Sequence, residues 1–234
     1  MITFHIITVF PESMESYLAT SVLGRAVKEG HIAVRFYNPR DYTDDSHQTV
    51  DDTSYGGGAG MVMKALPIAE AVAKARSAIG EGKRIKTILL SAKGEQYMQR
   101  HAVLFANNFD HIIIIAGRYE GIDERVISMT SAEELSVGPY VLTDGELPAM
   151  TLVSSVARLL PGVISFASLR EESHWDERLR DEGAGALEYP HYTKPEVIIY
   201  KGHEYRVPEV LLSGNHKEIE VWRSKQRRGD LPKS

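Results

Sequence analysis

The chain contains no cysteine among its 234 residues, which excludes disulfides and thiolate metal sites and fits a reducing cytoplasm. It also has no apolar run approaching the ~20 residues that a membrane-spanning helix needs. Its first residues, MITFHIITVFPE, have no basic region before an apolar stretch, so we expect no signal peptide. These absences predict a soluble, cytoplasmic protein with no membrane association.

An excess of positive charge is missing as well, since the formal net charge is −5. Composition alone therefore argues weakly against nucleic-acid binding, although a local basic patch is compatible with it. Hydrophobic residues make up 43% of the chain and charged residues 25%, which is typical of a globular protein. The length allows one large domain, or one domain with a smaller appendage.

Strand-like and helix-like segments alternate through roughly the first 165 residues, which predicts an α/β fold with a mostly parallel sheet. The predicted strands are Ile2–Phe10, Ile32–Tyr37, Ile85–Ser91, Ile112–Ile115 and Val137–Leu142. The predicted helices are a short one capped by Ser13, then Leu23–Lys28, Ala65–Ala78, Glu95–Phe105 and one that Glu146 and Pro148 open.

Two loops near the middle of the chain carry the strongest functional signal. The Ile112–Ile115 run ends at Ala116-Gly117 and is followed within a few residues by Arg118, Glu120, Asp123, Glu124 and Arg125. A second turn is formed by Thr143-Asp144-Gly145. Because ligands of open α/β sheets bind beyond the carboxyl ends of strands, we expect a pocket here.

A long polar loop, 40–60, ends in the glycines of YGGGAG. These glycines either let the backbone approach a ligand closely or form a flexible tip, and the two readings are about equally favoured. A P-loop is excluded because no Gly-Lys-Ser/Thr follows.

The chain changes character at residue 166, where a charged stretch rich in glycine at its end runs to 189. We interpret 166–189 as a linker that orders on binding a partner. A smaller unit follows, with Ser213 or Asn215 as a helix cap. Its helix is either a solvated charged face or an RNA contact beside Trp222; the basic residues are Lys217, Arg223, Lys225, Arg227 and Arg228.

Seven strings along almost the whole chain resemble the bacterial tRNA (guanine-N1)-methyltransferases, the TrmD type of the SPOUT superfamily. They are ITVFPE, GRAVKEG, PRDYTDDSHQTVDDTSYGGGAGMVM, AGRYEGIDERV, SVGPYVLTDGELPAMTLVSSVARLLPGV, PHYTKPEV and VPEVLLSGNHKEIEVWR. The resemblance implies a SPOUT-type sheet with a deep trefoil knot in 1–165, a linker at 166–189 and a small, mainly helical tRNA-binding domain at 190–234. It also implies an obligate homodimer whose site spans both subunits.

The same resemblance implies methyl transfer from S-adenosylmethionine to N1 of guanosine 37 of tRNA, next to the anticodon. The knot loops of the family hold the cofactor largely through backbone groups. By motif match, the cofactor residues are Leu89, Leu90, Gly117, Val137, Gly138, Tyr140, Leu142, Gly145 and Pro148.

Guanine N1 is a poor nucleophile until it loses its proton, so the reaction needs a general base and a cation near O6. The resemblance assigns the cation to Arg158. It places an aspartate before the linker serine, where this chain has Glu172 before Ser173. Glu172 is therefore the expected base, and Glu171 is the alternative if the alignment shifts by one residue.

Arg118 and Glu120 are expected to position the guanine or a Mg²⁺ ion, which the resemblance implies as an aid to catalysis. The alternative is a structural ion pair, as for Arg125. Asp144 stands where many relatives have glycine and either bonds the cofactor or faces solvent. No metal site in the protein is predicted, because four histidines in polar loops lack a ligand spacing: His47, His174, His191 and His216.

Two other functions are compatible with these residues. An RNA-binding protein on a methyltransferase scaffold would result if the change at Glu172 abolished catalysis. A SPOUT enzyme acting on ribose or ribosomal RNA is disfavoured by the YGGGAGMVM and PHYTKP strings.

Overall fold

The structure is a computed structural model that describes residues 1–165, 168–169, 172–173 and 187–227. The chain forms two compact units, 1–165 and 166–234. The predicted division into a domain at 1–165, a linker at 166–189 and a domain at 190–234 stays a prediction.

The first unit is built on five parallel strands in the order β2-β1-β6-β5-β7, with a two-stranded β3-β4 ladder beside it. The strands are β1 (Ile2–Ile7), β2 (Ile32–Tyr37), β3 (Asp51–Asp52), β4 (Val62–Met63), β5 (Ile85–Gln96), β6 (His111–Ile115) and β7 (Glu133–Ser136). The helices are α1 (Glu12–Leu18), α2 (Ser21–Lys28), α3 (Ala65–Ser77), α4 (Gln99–Asn108), α5 (Arg125–Thr130) and α6 (Glu146–Ala157), with a 3-10 helix at Pro39–Tyr42. The α/β class and the parallel sheet are confirmed.

Helices cover both faces of this sheet. This is expected, because a strand made of consecutive aliphatic residues must bury side chains on both faces. Phe4, Ile112 and Ile114 belong to one buried cluster, which includes residues of α1, α2, α4 and α6. Ile113 and Ile115 point the other way and pack with residues of α3 and α5. The alternation along β6 therefore buries every side chain from Ile112 to Ile115.

Three local predictions were wrong. Ser13 does not cap α1 but lies inside it, with its hydroxyl donating to the Phe10 carbonyl. Residues 95–96, predicted to open a helix, belong to β5, and α4 begins only at Gln99. The segment Val137–Leu142 is a loop, and the strand lies just before it, at Glu133–Ser136.

The second unit contains an antiparallel hairpin and two helices among its described residues. These are β8 (Val197–Tyr200), β9 (His203–Arg206), α7 (Glu209–Leu212) and α8 (His216–Gln226). Of the two predicted caps, Asn215 is confirmed, since its side chain accepts hydrogen bonds from the backbone of Lys217 and Glu218. The hairpin was not predicted from the sequence.

Candidate active site

A cavity of about 410 Å³ in the first unit lies where β6 and β7 run into loops and where the pairing of β5 with β7 is irregular. Its wall consists of residues 89–93 on β5, the loop 117–124 with Ile127, and the segment 134–137 continuing through 140–145 to Pro148. This position is the carboxyl edge of the parallel sheet, where ligand sites of α/β folds are found.

Eight of the nine residues expected to hold the cofactor line this cavity: Leu89, Leu90, Gly117, Val137, Tyr140, Leu142, Gly145 and Pro148. The ninth, Gly138, is buried beneath the ring of Tyr140, since a Cβ atom there would lie 2.3 Å from that ring. The structure thus brings the set together, while its binding of a cofactor stays a prediction.

Gly145 closes one side of the cavity by direct contact between two backbone segments. Its N–H donates to the carbonyl of Gly117 at 2.8 Å. A Cβ atom at Gly145 would lie 2.5 Å from the nitrogen of Gly117 and 2.7 Å from Cα of Ala116. Only glycine permits this approach, which fixes the loop before α6 against the end of β6.

Asp144 precedes Gly145, the N-cap residue of α6, and accepts hydrogen bonds from the first turn of that helix. Its Oδ1 accepts hydrogen bonds from the backbone N–H groups of Glu146 and Leu147, both at 3.1 Å, and its Oδ2 accepts one from Thr143 Oγ1. Burial opposes its ionisation, but these bonds and nearby Arg118 outweigh burial and lower the pKa of Asp144. Asp144 therefore has a structural role, because it holds the cavity wall against the start of α6.

Arg118 is held from two sides at the edge of the cavity. Its Nε lies 2.9 Å from Oε2 of Glu146, and its guanidinium carbon lies 4.6 Å from the centre of the Phe10 ring. Glu146 is only 2% exposed and also accepts a 2.5 Å hydrogen bond from Thr8. Burial raises the pKa of Glu146, against the opposing effects of Thr8 and Arg118. Arg118 thus takes part in an ion pair with Glu146. A structural ion pair was the alternative to a role in positioning guanine or Mg²⁺.

Glu120 ties the long polar loop to the cavity. Its N–H donates to the Met61 carbonyl at 3.0 Å, and a Cβ atom at Gly60 would lie 2.5 Å from its Cγ. Gly60 has φ +77°, a conformation that other residues rarely adopt. The end of the glycine-rich loop therefore packs on a residue of the site.

The charge of the lining is predominantly negative. Five carboxylates (Glu120, Asp123, Glu124, Glu134 and Asp144) face two cations (Lys93 and Arg118). Arg125 pairs with Asp123 through two side-chain contacts of 2.6 and 2.9 Å, as its structural reading predicted. A negative lining of this kind favours a ligand that carries positive charge.

Sequence reasoning missed a group on β5 and its partners. Ser91, Ala92 and Lys93 line the cavity, and Lys93 Nζ lies 2.5 Å from Glu124 and 3.7 Å from Glu134. A signal was present in the sequence, because these residues directly follow Leu89 and Leu90, which were expected to hold the cofactor. It was overlooked because the strand was expected to end at Ser91.

The two residues expected to act on guanine lie elsewhere in the chain. Arg158 is the half-buried C-cap residue of α6, and its backbone N–H donates a hydrogen bond to the Ser154 carbonyl. Glu172 belongs to the second unit and is half-buried. Its backbone N–H donates a hydrogen bond to the Leu169 carbonyl at 3.4 Å. Next to it, Ser173 and Glu188 exchange two hydrogen bonds of 2.9 and 3.0 Å. Glu171 and His174 lie outside the described residues.

Neither a metal cluster nor a membrane span is seen in the part of the chain that the structure describes. Within those residues, no group of three or more His, Asp or Glu side chains is placed to hold a metal ion. No helix among them is long and apolar enough to cross a membrane.

A parallel sheet with an acidic cavity at its carboxyl edge defines an α/β protein of the kind that binds small ligands beyond its strands. Comparison with known sequences gives the family. A sequence model described as "tRNA (Guanine-1)-methyltransferase TrmD" matches residues 2–232. The chain belongs to this family, and its parallel sheet fits the TrmD type of SPOUT fold.

Several curated proteins named tRNA (guanine-N(1)-)-methyltransferase are similar to the chain. The protein of Pseudomonas paraeruginosa strain PA7 is 48% identical over 224 residues, which are 96% of this chain and 84% of the relative. That of Pseudoalteromonas atlantica is 45% identical over 226 residues, covering 97% and 80%. That of Francisella tularensis subsp. holarctica is 47% identical over 225 residues, covering 96% and 84%.

Proposed function

We propose that this protein is an S-adenosylmethionine-dependent tRNA (guanine(37)-N1)-methyltransferase. The observation that carries the proposal is the family match over residues 2–232. The cavity beyond β6 and β7 supports it, because that cavity gathers eight of the nine residues expected to hold the cofactor.

The charges and the apolar surface of the cavity suit this cofactor. S-adenosylmethionine has a carboxylate and two positively charged groups, which are the sulfonium that supplies the methyl group and an ammonium. The excess of carboxylates in the lining is complementary to both. Leu89, Leu90 and Pro148 offer apolar surface, while the contact between Gly117 and Gly145 fixes two backbone segments of the wall.

Methyl transfer to guanine N1 requires that the N1 proton be removed and that charge developing on O6 be stabilised. We assign proton removal to Glu172 and O6 stabilisation to Arg158. The bonds between Ser173 and Glu188 support the assignment of Glu172, since they constrain the backbone beside that carboxylate. Arg118 and Glu120 are proposed to position the guanine at the edge of the cavity.

Larger-scale features follow from the same proposal. We infer a trefoil knot in 1–165, a linker at 166–189, a tRNA-binding domain at 190–234 and a homodimer whose site takes residues from both subunits. The tight packing of the Gly145 loop on the end of β6 is compatible with a knotted backbone. We also infer assistance by Mg²⁺ and a cytoplasmic location, where the tRNA substrate is found.

The first experiment incubates the protein with S-adenosylmethionine, Mg²⁺ and unmodified tRNA carrying guanosine at positions 36 and 37. Formation of N1-methylguanosine is measured by nucleoside mass spectrometry. We expect methylation at position 37, and a loss of kcat of about 10²-fold or more in Glu172→Gln, because a positioned base contributes about that much. Glu196→Gln, which changes an exposed carboxylate elsewhere in the second unit, is the matched control.

Each result has a distinct meaning. Activity that survives in Glu172→Gln would move the base elsewhere, with Glu171 the next residue to test. Binding of cofactor and tRNA without product would favour the non-catalytic RNA-binding alternative. Omission of Mg²⁺, with spermidine added to keep the tRNA folded, tests the role of the ion separately.

A further inference from the structure

The hairpin of the second unit presents an unusual surface. β8 and β9 are joined by Lys201-Gly202, both with positive φ (50° and 79°), as in the type I′ turns that connect tight hairpins. The hairpin forms a sheet of two strands only. Two-stranded ribbons are marginally stable in water unless another surface covers them.

The register of the strands separates two faces of different chemistry. Ile198 lies opposite Tyr205, and Tyr200 lies opposite His203. Side chains of directly opposed residues share a face, so these four form one surface, here called the aromatic face. The other face carries two aliphatic residues, Val197 and Ile199, and the ion pair of Glu204 with Arg206.

The aromatic face is open to solvent. Tyr200 is 59% exposed and Tyr205 is 56% exposed, and Ile198 and His203 are exposed as well. Contiguous large side chains of this kind on a surface mark a site of interaction. The face therefore has the exposure expected of a contact surface.

The charges beside this face favour RNA as its occupant. Lys201 Nζ lies 5.3 Å from the centre of the Tyr200 ring, so a cation stands at the edge of the face. The Glu204 carboxylate is already paired with Arg206, which leaves one net positive charge on the hairpin with His203 neutral. Aromatic rings beside a cation suit unpaired bases, which stack on the rings while the cation meets the phosphate.

We propose that the aromatic face of the hairpin binds the tRNA substrate by stacking Tyr200 and Tyr205 on unpaired bases, with Lys201 on the adjoining phosphate. The inference rests on the proposed function in that it takes the RNA to be tRNA. It adds a specific contact surface within 190–234, the segment proposed to bind tRNA.

The test compares substitutions that separate stacking from apolar contact. Tyr200→Leu and Tyr205→Leu keep apolar surface but remove the ring, whereas Tyr200→Phe and Tyr205→Phe keep the ring. Ile199→Leu on the opposite face is the matched control. Affinity for unmodified tRNA is measured by fluorescence anisotropy, the Michaelis constants for tRNA and S-adenosylmethionine by initial rates, and folding by circular dichroism.

We expect each leucine variant to weaken tRNA binding and raise the Michaelis constant for tRNA by about 5- to 100-fold, the range found when one stacked base loses its aromatic partner. The phenylalanine variants and Ile199→Leu should stay within about twofold of the parent. The Michaelis constant for S-adenosylmethionine should not change. A fully paired RNA duplex should bind all variants equally, because it offers no unpaired base.

Three results would overturn the proposal. The first is parental tRNA affinity in both leucine variants. The second is equal loss for the tRNA and the duplex, which would indicate a purely electrostatic surface. The third is a change in oligomeric mass by light scattering that accompanies the loss, which would assign the face to a protein partner. If the parent protein forms no N1-methylguanosine, the proposed function fails while the binding comparison still decides the role of the hairpin.

Discussion

Arg118 illustrates how one side chain joins structure and site. Its guanidinium is fixed between the buried Glu146 carboxylate and the Phe10 ring, and it still lines the cavity. An ion pair that is already formed holds the cation in place before any ligand arrives. The structural reading and the proposed role in positioning guanine are therefore compatible, since the first supplies the rigidity that the second requires.

A second residue-scale feature lies inside the sheet. His5 is fully buried on β1, with Nε2 3.0 Å from Nδ1 of His111 and Nδ1 3.1 Å from the Tyr37 hydroxyl. Burial, together with the charge of His111 and Arg35, lowers the pKa of His5 from 6.5 to about 4. The ring is thus neutral in the folded protein at pH values where the unfolded chain would be protonated.

This difference predicts acid sensitivity. Below its unfolded pKa of 6.5, His5 binds a proton in the unfolded chain but not in the folded one, so stability falls as the pH drops from 6.5 towards 4. The shift sets an upper limit of about 3 kcal/mol on the effect. We expect His5→Gln to show a smaller loss of unfolding free energy between pH 6.5 and 4.5, measured by urea denaturation. Equal slopes for His5→Gln and the control His47→Gln would contradict the argument.

At the scale of elements, the loop that enters α6 depends on a contact between backbones. Gly145→Ala would place a methyl group 2.5 Å from the Gly117 nitrogen, where no flexible side chain can move aside. We expect a loss of about 1–3 kcal/mol in unfolding free energy from overpacking, with a weaker affinity for S-adenosylmethionine. Gly80→Ala is the matched control, because a Cβ atom there has nothing within 4 Å.

Calorimetric titration with the cofactor and urea denaturation measure the two effects. If Gly145→Ala were as stable as Gly80→Ala and bound the cofactor equally well, the close approach would not matter to the site.

Local sequence predicted the aliphatic strands well and their ends poorly. The strand Ile112–Ile115 was recognisable as an unbroken aliphatic run, because both of its faces are buried. In the structure it begins one residue earlier, at His111. β5 continues to Gln96 because it pairs with β7 on both sides of an irregularity between Leu90 and Glu95. Pairing between distant segments left no periodicity in the sequence, so the strand was expected to end early. The wall formed by Ser91, Ala92 and Lys93 was missed for the same reason.

The hairpin escaped prediction for a related reason. Its strands are exposed on both faces, so no alternation of apolar and polar residues separates a buried face from a solvated one. The Lys201-Gly202 turn was the available signal. In contrast, the cavity residues were predicted from sequence motifs. They lie together because ligands of parallel sheets bind beyond the carboxyl ends of the strands.

At the scale of the whole molecule, the two residues proposed to act on guanine belong to different units. Arg158 belongs to the first and Glu172 to the second. If the site of a homodimer takes Arg158 from one subunit and Glu172 from the other, two inactive variants should complement each other. In a mixed dimer of Arg158→Ala and Glu172→Gln, one site would carry both substitutions and the other neither.

We expect that denaturing the two variants together and refolding them restores about a quarter of the parental activity, because half of the randomly assembled dimers are mixed and each has one intact site. Initial rates of N1-methylguanosine formation measure the recovery, and each variant refolded alone is the control. If Arg158 and Glu172 acted within one subunit, every site of a mixed dimer would keep one defect, and no activity would return. That outcome would place the whole reaction within a single subunit and would remove the functional reason for an obligate dimer.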